Sequence, residues 1–174
     1  MAAANPLEVN PLATINPMTL VTDINLLLPN TDNQITAGTV VSAGAGSNMN
    51  SFVKQDGSVS HNEWVKTASG WMHSNEHGFL DKGWNQVNNK WYYFEEGATN
   101  TNVMHTGWLS NNYGGQLNFY FMSGSGEMFT GYQVIDGKTY YFDPVGSNGR
   151  PAGSLAVNFV TPDGRVAGAD GVVR

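Results

Sequence analysis

The feature that most limits what this chain can fold into is a recurrence at 24-residue intervals: Gly83-Trp84, Gly107-Trp108 and Gly131-Tyr132. A period of that length marks supersecondary units that cannot bury an apolar face alone and must stack on their neighbours. Two of the units read directly as hairpins. Gly83-Trp84-Asn85-Gln86-Val87 passes through Asn88-Asn89 into Lys90-Trp91-Tyr92-Tyr93-Phe94. Gly131-Tyr132-Gln133-Val134-Ile135 passes through Asp136-Gly137 into Lys138-Thr139-Tyr140-Tyr141-Phe142. Asn-Asn and Asp-Gly tolerate the positive φ that a two-residue hairpin turn requires. The unit between them carries Asn111-Asn112-Tyr113-Gly114-Gly115-Gln116 before Phe119-Tyr120-Phe121, which predicts a longer loop with an exposed tip.

The flanking units are less regular. Trp64 and Trp71 repeat the seven-residue offset of Trp84 and Trp91, and only 20 residues separate Trp64 from Trp84. Phe159 to Val166, followed by Gly171-Val172-Val173, reads as a terminal hairpin that caps the stack. The expected fold class is therefore mainly β, a solenoid of stacked β-hairpin repeats preceded by an extended N-terminal docking arm. All 20 aromatic residues (5 Trp, 7 Tyr, 8 Phe) lie from Phe52 onward, so the first 51 residues have no aromatic core of their own. The chain divides into an arm with a flexible connector (1–50), a degenerate first hairpin repeat (51–82), Gly-aromatic hairpin repeats (83–153) and a capping hairpin (154–174).

Within the arm, Asn5-Pro6-Leu7, Asn10-Pro11-Leu12 and Asn16-Pro17-Met18 repeat one triplet. Proline fixes φ and pushes its predecessor to extended backbone, so each triplet predicts a kinked piece with one protruding apolar side chain. Leu20 to Leu28 fits either a short helix or an inserted strand. Thr39-Val40-Val41 is β-prone, and Ala43-Gly44-Ala45-Gly46-Ser47 has the composition of a flexible connector. A disordered tail is the competing reading of residues 1–50.

Charge and composition narrow the partners. With 14 acidic and 8 basic residues the formal charge is −6, which disfavours a nucleic-acid backbone and tolerates a cationic ligand. The absence of cysteine removes disulfides, thiolate metal sites and a cysteine nucleophile. No metal and no cofactor is expected: His73 and His77 would chelate a metal only on a helix, and this sequence is rich in turns. Asp163-Gly164 and Asp170-Gly171 read as turns, and Glu95-Glu96 as adjacent strand residues on opposite faces, so no acid/base pair forms and no catalytic residue is assigned. Read from Met1, the chain has neither the basic start and apolar stretch of a secretory signal nor a membrane span.

Gly-Trp, then Trp-Tyr-Tyr-Phe, then Met104-His105-Thr106-Gly107-Trp108 resembles the choline-binding, cell-wall-binding repeat of Gram-positive bacteria and their phages. The resemblance covers roughly residues 60–174, is strongest over 83–143 and is absent from the first 50. It implies a choline-binding-module-like solenoid with an aromatic cage between consecutive hairpins. Carried over by position, it implies one cage from Trp84, Trp91 and Trp108 with Met104 at its edge. A second would use Trp64, Trp71 and Trp84, with Leu80 in place of the methionine. A third, around Trp108, Met128 and Tyr132, is incomplete, because the first position of the aromatic cluster is Asn118 in that unit and Thr139 in the next. The chemistry is consistent: a quaternary ammonium donates no hydrogen bond and is held by ring faces, each contributing about 0.5–2 kcal/mol.

The function so implied is non-catalytic binding of choline on teichoic-acid polymers. One or two weak cages favour presentation in several copies, or as a homo-oligomer. Without a secretion signal, the expected carrier is a phage virion or phage-tail-like particle, whose structural proteins would hold residues 1–50. The alternatives are a carbohydrate-binding module for glucans, or the wall-targeting fragment of a secreted surface protein or lysin, located at the extracellular cell wall.

Overall fold

The computed structural model describes residues 34–44, 46–147 and 149–174. The Asn-Pro-aliphatic triplets and the Leu20 to Leu28 stretch lie outside the described residues. Every element described is a strand, and the strands pair only as hairpins. β1 (Gly38–Ser42) pairs with β2 (Asn50–Lys54), β3 (Glu63–Thr67) with β4 (Gly70–Ser74), and β5 (Gly83–Val87) with β6 (Lys90–Phe94). β7 (Gly107–Tyr113) pairs with β8 (Gln116–Met122), β9 (Gly131–Ile135) with β10 (Lys138–Phe142), and the short β11 (Phe159–Val160) with β12 (Val166–Ala167).

The turns behave as their residues require. Asn88 and Asn89 have φ of 50° and 65°, and Asp136 and Gly137 have 56° and 70°, so both two-residue loops carry positive φ at each central position. The expectation of a long loop in the third repeat is corrected. Gly114 and Gly115 form an equally tight turn at φ 58° and 81°, and the extra residues lengthen β7 and β8 instead. Two consecutive glycines accept that geometry without a Cβ clash, so Asn111, Asn112 and Tyr113 continue the ladder.

The start of the array also moves. Thr39-Val40-Val41 lies in β1 and pairs with Val53, Phe52 and Ser51, so a hairpin begins at Gly38, inside the segment expected to be arm and connector. Gly38 is required there: a Cβ would lie 2.4 Å from the Val53 carbonyl oxygen. Consequently residues 51–82 do not form one hairpin; β2 closes the first and β3–β4 make the second.

The chain forms two compact units, of which the described parts are residues 34–105 and Thr106–Arg174. Both stack hairpins by one relation. In each unit the tryptophan of one hairpin meets a Tyr-x-Phe pair on the face of the hairpin that follows. In the first unit the Trp64 ring lies 5.0 Å from Tyr92 and 5.9 Å from Phe94. In the second, Trp108 lies 5.1 Å from Tyr140 and 5.8 Å from Phe142. Phe94, Met122 and Phe142, each paired with the glycine that opens its hairpin, have no exposed surface. Backbone bonds stitch the stack: the Met104 amide donates to the Trp71 carbonyl at 2.8 Å, and the Leu155 amide to the Phe119 carbonyl at 2.7 Å. The segment after the terminal hairpin bonds to β10, with the Val173 amide donating to the Thr139 carbonyl at 2.8 Å.

Candidate ligand-binding site

Strand register decides which rings share a surface, because directly paired residues project to the same side and successive residues alternate. In β5–β6, Trp84 pairs with Tyr93 and Gln86 with Trp91, so Trp84, Gln86, Trp91 and Tyr93 form one face. The equivalent face of β3–β4 is Trp64, Lys66, Trp71 and His73, and that of β9–β10 is Tyr132, Val134, Thr139 and Tyr141. In β7–β8 it is Trp108, Ser110, Phe119 and Phe121. The residue standing where Trp91 stands is therefore Phe119, and the expectation that Asn118 holds that position is corrected. Asn118 projects to the other side, fully buried, where its Oδ1 accepts from Arg150. Aligning Asn118-Phe119-Tyr120-Phe121 with Trp91-Tyr92-Tyr93-Phe94 is one residue out of register, because Phe121 takes the place of Tyr93 and Met122 that of Phe94. The stitching bonds give the same equivalence, since the carbonyls of Trp71, Phe119 and Thr139 are the ones used.

The faces differ in what they leave open. Trp64 and Trp71 are buried in a cluster with Tyr92, Phe94 and Met104, and Trp108 is buried among Phe121, Tyr140 and Phe142. Trp91 is 42% exposed, the most accessible tryptophan in the array. Trp84 packs edge-on to Tyr93 at 5.3 Å, on the face that also carries Trp91. Tyr132 is 37% exposed and lies 4.6 Å from Tyr141.

Of the residues singled out from sequence, Trp84 and Trp91 come together on one hairpin, whereas Trp108 belongs to the second unit. Met104 sits with Trp64 and Trp71. Leu80 sits with Phe52, Val65, Met72 and Val103, one cluster earlier than the cage drawn for it. Met128 bridges to Met122 and packs beneath Gly153, where a Cβ would come within 2.4 Å of its sulfur.

Polar groups surround the exposed face. Glu95 and Glu96 follow the end of β6 and serve one cluster instead of opposite faces. Glu95 Oε2 lies 2.6 Å from His105 Nδ1, and the Tyr93 hydroxyl donates to Glu96 Oε2 at 3.1 Å. His73 Nδ1 pairs with buried Asp81 at 2.7 Å, while His77 is exposed beside Glu76, so the two histidines do not converge. Among the described residues no three metal-ligating side chains cluster. A separate open groove of about 560 Å³ in the first unit is lined by Trp64, His73, Asp81, Asn85, Gln86 and neighbouring amides.

Comparison with known structures bears on the fold. Choline binding protein F from Streptococcus pneumoniae, crystallised in the presence of a peptidoglycan analogue, is similar at 27% identity and a TM-score of 0.57, over 80% of this chain and 40% of that one. CbpJ from S. pneumoniae TIGR4 is similar at 26% identity and a TM-score of 0.57, over 80% and 41%. The chain is built of choline-binding-type repeats. The modular Cpl-1 endolysin, complexed with a peptidoglycan analogue, is a third similar structure, with 26% identity and a TM-score of 0.50 over 76% of this chain and 38% of that one. The chain thus spans about 40% of the length of these structures. No family model and no curated protein matches the sequence.

Proposed function

We propose that this choline-binding-type module holds quaternary ammonium groups of Gram-positive wall polymers, without catalysis, at the face formed by Trp84, Trp91 and Tyr93. The observation that carries this reading is Trp91: a large ring left open on a rigid hairpin, flanked by Trp84. Aromatic residues so exposed favour a cation by the ring quadrupole, and the carboxylates of Glu95 and Glu96 near Tyr93 add negative potential. Choline on teichoic acids is the ligand of the family the chain resembles. Two or three rings supply an affinity of millimolar class, so attachment at the wall depends on several copies. Display on a phage virion or phage-tail-like particle, with the segment that precedes β1 docked on its structural proteins, would meet that need; a wall-targeting part of a larger surface protein or lysin would meet it by repetition.

Retention on a choline-type resin, eluted by free choline, tests the reading, with Trp91→Ala expected to elute at least about tenfold earlier in competitor concentration. Unchanged elution of that variant would reject this face as the site.

A second reading is favoured by the polar groove beside Trp64, whose amides and the Asp81 carboxylate match the hydroxyls of a saccharide. Titration with a wall disaccharide, followed at the His73 and Asn85 NMR signals, separates it from choline binding. Shifts at those signals with silence at Trp91 would favour the saccharide.

A further inference from the structure

The four equivalent faces are not equally available to an outside cation, and the reason is written into the chain's own positive residues. On β3–β4 the residue paired with Trp71 is Lys66, whose Nζ lies 5.4 Å from the centre of the Trp71 ring. The same position on the other hairpins is neutral: Gln86, Ser110 and Val134. On β9–β10 the cation arrives from elsewhere. The turn of the terminal hairpin carries Arg165, and its guanidinium carbon lies 5.1 Å from the centre of the Tyr132 ring.

That arginine is held in place from several directions. Its Nε and a terminal nitrogen both bond Asp163 Oδ2, at 2.8 and 2.7 Å. Asp163 is fixed in turn by the Thr161 hydroxyl at 2.7 Å, by the Arg165 amide at 3.1 Å, and through its own amide, which donates to the Tyr132 hydroxyl oxygen at 3.2 Å. The ion pair, the turn and the ring form one closed arrangement. The hydrogen bonds from Arg165 and Thr161 hold the Asp163 carboxyl well below the usual carboxylate range, so it stays ionised.

We propose that Arg165 is a tethered stand-in for the ligand, closing Tyr132 to external quaternary ammonium. With Trp64, Trp71 and Trp108 buried, that leaves the face where Trp91 pairs with Gln86 as the one open to the ligand. This inference rests on the cationic-ligand reading above. The physical argument is one of effective concentration. A cation on a short, ordered turn is presented to the ring at a local concentration that a free ligand of millimolar affinity must exceed. Such a device gives a fixed number of sites per chain although the scaffold repeats.

The test is an NMR titration of the full chain with tetramethylammonium chloride, against matched sodium chloride, reading the ring signals of Tyr132 and the indole signals of Trp84 and Trp91. In Arg165→Gln, Tyr132 is expected to respond at about tenfold lower tetramethylammonium than in the unaltered chain. Arg165→Lys, which keeps a cation, is expected to leave Tyr132 closed. The indole signals should respond alike in all three. Equal Tyr132 responses in the three proteins, or silence at Tyr132 in Arg165→Gln while Trp91 responds, would overturn the inference alone. Silence at Trp91 and Tyr132 together would overturn both the inference and the cationic-ligand reading. Direct confirmation of the contact is available without ligand, since Tyr132→Leu should abolish the ring-current shift of the Arg165 side-chain protons, and an unmoved signal would contradict the contact.

Discussion

Hairpins β5–β6 and β9–β10 have nearly the same second strand, Lys-Trp-Tyr-Tyr-Phe in one and Lys-Thr-Tyr-Tyr-Phe in the other, and the single difference separates scaffold from site. Tyr92 with Phe94, and Tyr140 with Phe142, do identical work against the tryptophan of the preceding hairpin. The opposite face carries the variation, with Trp91 exposed in one hairpin and Thr139 in its place in the other. Stacking is therefore indifferent to the residue that makes a ligand face, and a repeat can lose its ring without losing its fold.

The largest effects should fall on the shared part. Phe94→Ala and Phe142→Ala each remove a fully buried ring and are expected to cost about 3–5 kcal/mol, read as the urea midpoint at constant slope. Closely similar losses in the two hairpins would support their equivalence, and a loss under about 1 kcal/mol in either would break it. Next comes the divergent position. Trp91→Ala should weaken choline binding at least about tenfold while changing stability by less than about 1 kcal/mol, whereas Thr139→Ala should change neither. A stability loss at Trp91 as large as that at Phe94 would make it a core residue and remove the distinction.

Smaller effects are expected at the turns. Gly137→Ala places a Cβ at φ 70° and should cost about 1–2 kcal/mol, while Asn89→Gly at φ 65° should be neutral or mildly stabilising by thermal unfolding. The smallest is a pH effect in the second unit. Burial pushes the Tyr120 hydroxyl up to about 12 from its ordinary value of 10. The folded form therefore retains its proton where the unfolded chain releases it, so this contribution is complete below pH 10 and lost as pH rises from 10 towards 12. Tyr120→Phe should flatten the decline in stability over that window. An unchanged slope would assign the decline to other groups.

Much of this arrangement is legible in the sequence, because the 24-residue recurrence and the Asn-Asn and Asp-Gly turns are local signals with local causes. The hairpins of residues 83–94 and 131–142 follow from them directly. What is hidden is what depends on register and on partners distant in sequence. Phe119 escapes because Met122 stands where β6 and β10 have phenylalanine, so the aromatic cluster invites an alignment one residue out, and only the pairing of Ser110 with Phe119 reveals it. β1 escapes because Thr39-Val40-Val41 has no aromatic residue to mark it, although its partner Phe52 is buried against Val65, Met72 and Leu80. Met104 and Leu80 look like neighbours of the rings that follow them, yet the amide of Met104 is bonded to Trp71 of β3–β4, beyond the hairpin that immediately precedes it, and its side chain joins Trp64 and Trp71. The contact of Arg165 with Tyr132 spans the end of the array and leaves no periodic trace.

The most direct test of the central claim is a choline titration of the intact chain followed at the indole NMR signals of its five tryptophans. Saturable movement of the Trp91 and Trp84 signals, with buried Trp64, Trp71 and Trp108 moving little and the response abolished in Trp91→Ala, is the predicted result. Saturable movement that survives that substitution, or no saturable movement at Trp91, would contradict it.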